Sequence, residues 1–119
     1  MRLRACLFLS LLPALGCAEA TPPPQPRPRE VGVVVRDNVF EPEEVTVGVN
    51  QSVAWVWEGQ SEHSLRFAGS STTAAAARRE GVYARTFDTP GTYGYYCTIH
   101  GAETGLSVTG MSGRVVVSP

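Results

Sequence analysis

From residue 31 onward the chain is divided into short β-prone runs, each closed by a turn signal. Val31-Gly32-Val33-Val34-Val35 is apolar and β-branched and ends at Arg36-Asp37-Asn38. Val45-Thr46-Val47-Gly48-Val49 alternates and runs into the turn Gly48-Val49-Asn50-Gln51. Ser52-Val53-Ala54-Trp55-Val56-Trp57 is aromatic and ends at Glu58-Gly59-Gln60-Ser61. His63 to Phe67, Tyr83 to Phe87, Thr92 to Tyr96 and Arg114 to Val117 follow, with Asp88-Thr89-Pro90-Gly91 as a further turn. Seven runs so punctuated leave no room for long helices and predict an all-β sandwich. One segment departs from the pattern. Ser70 to Glu80 places four alanines behind Ser/Thr cap residues and predicts one or two helical turns. It reads either as a solvated connection or as a piece that presents Arg78 and Arg79 to a partner.

Residues 1–20 do not belong to this pattern. A basic start, Met1-Arg2-Leu3-Arg4, precedes a leucine-rich stretch from Ala5 to Gly16 that is too short for a membrane span. This is the layout of an export leader. Ala14-Leu15-Gly16-Cys17 resembles a lipobox with Ala14 in place of the usual Leu, which would make Cys17 a lipidated first residue. Ala18-Glu19-Ala20 instead fits ordinary small-x-small cleavage. The two exits predict, respectively, a periplasmic or outer-envelope lipoprotein attached to the membrane through Cys17, and a soluble periplasmic protein. Residues 21–30 are proline-rich and read as a semi-rigid spacer, or as a tail with no role. Residues 31–119 are then the folded domain.

Charge narrows the function classes. The chain has no lysine, and counted from Cys17 it keeps eight arginines against eleven acids, a formal charge of −3. No basic stripe exists for nucleic acid. With Cys17 lipidated, Cys97 has no disulfide partner, and an unpaired cysteine in an exported domain calls for a reason such as metal ligation.

Cys97, His63, His100 and Met111 supply the chemistry. His63 and His100 are the only histidines, and beyond the leader Met111 is the only methionine. Taken singly, each has a plain structural reading. Cys97 would be a buried thiol, His63 a hydrogen-bonded or surface histidine, and Met111 core filler. Cys97 and His100 stand three apart after a predicted strand, and Met111 sits in a turn-rich stretch between Gly110 and Gly113. Together, two imidazoles, a thiolate and a thioether are the donor set of a blue-copper centre. Thioether is a poor zinc ligand, no third histidine exists for a copper oxidase, and no nucleophile–base pair stands out.

Several stretches add a family resemblance. These are Asn38-Val39-Phe40-Glu41-Pro42 with Val45-Thr46-Val47, then Gln51 to Trp55, Glu62-His63-Ser64, and Gly110 to Val117. The most specific is Phe87-Asp88-Thr89-Pro90-Gly91-Thr92-Tyr93-Gly94-Tyr95-Tyr96-Cys97-Thr98-Ile99-His100. Over residues 31–119 the chain resembles the cupredoxins, small blue-copper proteins of the plastocyanin, pseudoazurin and halocyanin kind. The resemblance implies a Greek-key β-sandwich of about seven to eight strands. It also implies one type 1 copper, held equatorially by His63, Cys97 and His100 and axially by Met111. The implied function is single-electron transfer by a non-enzymatic monomer between an unidentified donor and acceptor, with the His100 edge near the surface. The alternative is copper storage, delivery or sensing on the same fold. Phe40, Phe67 and Ile99 are expected to keep water from the thiolate. Two features depart from the family pattern. Ten residues separate His100 from Met111, so the segment Gly101 to Thr109 is expected to bulge outward, with Glu103 as a reserve axial ligand. Ser64 stands where the family carries an Asn that braces the ligand loops, and its hydroxyl would have to serve instead.

Overall fold

In the computed structural model, which describes Gly16 and residues 30–119, nine strands form. They are β1 (Val31–Arg36), β2 (Val39–Glu41), β3 (Glu44–Gly48), β4 (Gln51–Trp57), β5 (His63–Phe67), β6 (Ala75–Arg78), β7 (Val82–Phe87), β8 (Gly91–Thr104) and β9 (Ser107–Ser118). The leader, the lipobox cysteine and most of the proline-rich spacer lie outside the described residues.

Period-two patterning explains the local structure. In β1, Val33 and Val35 turn inward, and in β3 Val45 and Val47 do, while Glu44 and Thr46 face water. The strands form two sheets, in the orders β2-β1-β4-β7 and β3-β9-β8-β5-β6. β1 pairs with β4 and β3 with β9 in parallel, and the other pairings are antiparallel. The chain crosses between sheets after β2, β3, β4, β6 and β7, which makes a Greek-key sandwich. Trp55 anchors the space between the layers. It meets Phe67 edge-on at 5.7 Å and Tyr95 at 5.3 Å, and Phe40 stands edge-on to Tyr95 at 4.9 Å. With no exposed surface on Trp55, truncating it to Ala would cost about 3–5 kcal/mol.

Two expectations are corrected here. The alanine-rich segment is not helical. Ala75 to Arg78 pairs with β5, Ala74 N–H donates to the Leu65 carbonyl at 2.9 Å, and Ala75 is buried. The unpaired side of β5 and a place for one small side chain in the core outweigh the weak helix preference of alanine. Residues 101–109 do not form an outward bulge either. They continue β8 and β9 as a hairpin, pairing Gly101 with Gly110, Ala102 with Thr109, Glu103 with Val108 and Thr104 with Ser107. This hairpin folds back against the outer face of its own sheet. A Cβ on Gly94 would lie 3.4 Å from Val108, a Cβ on Gly69 3.3 Å from Leu106, and Glu103 Oε2 accepts the Gly69 N–H at 2.9 Å.

Candidate metal centre

A register break creates the site. Tyr96 pairs with Ser112, and the next β8–β9 pair is Gly101 with Gly110. Four residues, Cys97 to His100, therefore stand opposite the single residue Met111. A bulge of this size turns side chains away from the alternation of the strand. The neighbouring strand β5 begins at His63, with its own register irregularity toward β6 between His63 and Leu65. Its first residue thus arrives at the same pole as the bulge.

Three of the four expected residues converge. His63 Nδ1 and His100 Nδ1 lie 3.2 Å apart, and Cys97 Sγ is 3.9 Å from the first and 3.7 Å from the second. The centre of a triangle with these sides is about 2.1 Å from each corner, close to the ~2.0 Å and ~2.3 Å bonds that imidazole and thiolate make to zinc, a first-row metal. The donor set and its spacing therefore fit one copper ion. His63 and Cys97 are wholly buried, whereas His100 is exposed. Met111 is 2% exposed and belongs to the same core cluster as Cys97, so the glycine-flanked turn expected around it is a strand position with a core-facing side chain. Glu103 is held at Gly69 by the hydrogen bond described above.

Backbone N–H groups converge on the buried sulfur. Burial alone would push the Cys97 thiol up. The Ser64, Ile99 and His100 backbone N–H groups outweigh it and bring its pKa from 9.0 down to about 6. Ser64 N–H donates to Sγ at 3.4 Å. The Ser64 hydroxyl oxygen also accepts the Thr98 N–H at 2.8 Å and meets Thr98 Oγ1 at 2.6 Å, tying β5 to the bulge. Phe40 and Phe67 belong to the same buried core cluster as Cys97. Ile99 does not, since it is 53% exposed on the outside of the bulge.

Comparison with known proteins agrees with this geometry. Residues 29–118 match the family of copper binding proteins described as the plastocyanin/azurin family. The chain belongs to this cupredoxin family. It is 33% identical over 90 residues to plastocyanin of Scenedesmus fuscus, covering 66% of this chain and 86% of that one. Amicyanin of Paracoccus denitrificans is 29% identical over 116 residues, covering 83% and 88%. Among solved structures, the oxidized form of an amicyanin mutant superposes with a TM-score of 0.60 at 28% identity, over 74% of this chain and 81% of its own. A purple cupredoxin from Nitrosopumilus maritimus shares the fold, with a TM-score of 0.58 at 17% identity, over 74% and 99%. Copper is thus the cofactor of this cupredoxin, and His63, Cys97 and His100 have the arrangement of a type 1 site.

Two participants escaped the sequence reading. Asp37 accepts a hydrogen bond from His63 Nε2 at 3.0 Å, and Thr98 receives the Ser64 brace. Asp37 sits in what reads as simple turn punctuation, 26 residues from its partner, so no local pattern marks it.

Proposed function

We propose that the protein is an exported single-electron carrier in which His63, Cys97 and His100, together with Met111, would hold one type 1 copper. The single observation that carries this reading is the buried-to-exposed gradient across a preassembled cluster of one thiolate and two imidazoles. Bound copper supplies a one-electron Cu(II)/Cu(I) couple. Cys97 contributes a soft thiolate whose low pKa leaves it deprotonated near neutral pH, and His63 an imidazole shut off from water. The Ser64–Thr98 contacts and the short β8–β9 bulge hold the donors rigidly, which keeps structural rearrangement on electron transfer small. His100, exposed at the same pole, gives the site its edge toward a redox partner. The leader and spacer support an extracytoplasmic setting, with membrane attachment through Cys17.

Titration of the purified protein with Cu(II) tests the site. An intense thiolate-to-copper band is expected, and Cys97→Ser is expected to remove it. A Cys97→Ser protein that kept the colour would rule the assignment out. Repeated reduction and reoxidation with a moderate Cu(I) chelator present tests the role. A carrier keeps its metal through the cycles, whereas loss on first reduction with transfer to an apo-acceptor would replace the carrier by a copper-delivery protein.

A further inference from the structure

Both ring nitrogens of the buried His63 are engaged. Nδ1 points to His100 and Cys97, and Nε2 lies 3.0 Å from Asp37 Oδ1. We propose that Asp37 is the positioning residue of this centre: its carboxylate sets the tautomer and orientation of His63 and, by its charge, lowers the reduction potential of the copper. The inference rests on the reading of the cluster as a one-electron copper site.

The place of Asp37 is built with some care. It lies in the two-residue turn between β1 and β2, next to Asn38, whose φ is 63°. The segment joining β4 to β5 closes around its carboxylate. Ser61 N–H donates to Oδ1 at 2.9 Å, and Gln60 N–H to Oδ1 and Oδ2 at 3.0 Å each. Glu58 N–H, bonded to the Val35 carbonyl at 3.0 Å, anchors that segment to β1. The closure requires Gly59, because a Cβ there would come within 2.6 Å of Asp37 Oδ1. Arg36, the adjacent cation, is turned to Glu41 at 2.6 Å and Glu58 at 3.5 Å. Among the described residues the one basic side chain that pairs with Asp37 is His63.

The chemical consequence follows from the imidazole. A neutral ring has one N–H and one lone pair. Donation from Nε2 to a carboxylate leaves the lone pair on Nδ1, the nitrogen that faces Cys97 and His100. A carboxylate behind a ligating histidine also strengthens it as a donor and fixes the plane of the ring. Its negative charge favours Cu(II) over Cu(I) by simple Coulomb attraction.

Two measurements test this, one of them without metal. Long-range proton–nitrogen NMR of the metal-free chain is expected to show His63 as the Nε2–H tautomer, and Asp37→Ala is expected to lose that preference. In the copper-loaded chain Asp37→Asn keeps an oxygen acceptor and removes the charge. The ratio of Cu(II) to Cu(I) affinity is expected to fall about tenfold, a rise in potential of ~59 mV for one electron. Asp37→Glu, which restores the charge, is expected to bring the potential back toward that of the native protein. Gly59→Ala displaces the carboxylate without changing any charge and is expected to raise the potential too, so the question is decided even if Asp37→Asn does not fold. An unchanged potential in the folded variants, with the native chain showing its thiolate-to-copper band, overturns the role of Asp37 and leaves the carrier reading intact. A native chain that takes up copper without that band overturns both.

Discussion

The Ser64 hydroxyl meets the Thr98 hydroxyl at 2.6 Å and accepts the Thr98 backbone N–H at 2.8 Å, so one small side chain spans from β5 to the bulge that carries Cys97 and His100. Ser64 is buried, and its hydroxyl also lies 3.8 Å from Cys97 Sγ. Ser64→Ala removes the acceptor and leaves the Thr98 N–H without its partner. The expected cost is about 1–3 kcal/mol, read as a lower urea midpoint with an unchanged slope. An unaltered midpoint would mean that Ser64 braces nothing.

Met111→Leu is expected to keep the thiolate-to-copper band and to raise the reduction potential, because losing a weak donor disfavours Cu(II). Glu103→Gln serves as the control. Since Glu103 accepts the Gly69 N–H, it is expected to leave the potential unchanged. If Glu103→Gln shifts the potential and Met111→Leu does not, the axial assignment is reversed.

The metal-free chain offers a check on the sulfur itself. The Cys97 pKa of about 6 lies below the ordinary 9.0, so between these values the folded chain binds fewer protons than the unfolded one. Its stability is expected to rise with pH across that window, and this contribution to disappear as pH falls through about 6. Ultraviolet titration of the thiolate in the metal-free chain measures the same quantity. A midpoint near 9 would show that the surrounding N–H groups do not hold the anion.

Gly101 follows the bulge directly, where the backbones run too close for any side chain. A Cβ there would lie 2.7 Å from the Met111 carbonyl oxygen, 2.9 Å from that of Thr109 and 3.1 Å from that of Cys97. Gly101→Ala is expected to destabilise the chain by about 1–3 kcal/mol and to broaden the copper band, as the backbone shift reaches Cys97 and Met111 together. Ala102→Gly, one residue along the same hairpin, is the comparison expected to leave the band unaltered.

If Cys17 is lipidated, as the lipobox reading proposes, Cys17→Ala moves the protein from the membrane fraction to the soluble exported fraction. Mass spectrometry of the native N-terminus reads the same point directly, and an unmodified start at Thr21 would show ordinary cleavage after Ala20.

The legible parts of the fold were those in which one strand carries its own pattern. β3 and β4 show it in alternating or aromatic runs, and the donor residues stood out because the chain has so few of their kind. Elements whose structure depends on a distant partner were not legible. β6 is a strand because β5 offers it an edge, and nothing in its alanines says so. The 101–110 hairpin is built from residues that suit a loop equally well, and its pairing is set by the ends it inherits from β8 and β9. Asp37 is the sharpest case. Its role comes from a carboxylate placed at 3.0 Å by the closure of the β4–β5 connection, a contact that no one-dimensional pattern encodes.

The same hairpin uncouples sequence distance from spatial distance. Gly101 and Gly110 are direct partners, so the stretch between His100 and Met111 begins and ends on the same rung whatever its length. A hairpin grows or shrinks by paired residues, and the side-chain period of two means that only odd changes swap its faces. Its tip at Gly105 and Leu106 lies four rungs out, roughly 14 Å along the ladder. That tip is therefore a natural point for grafting a peptide or a surface anchor onto the domain, wiring the metal centre to an electrode or a chosen partner without touching a donor residue.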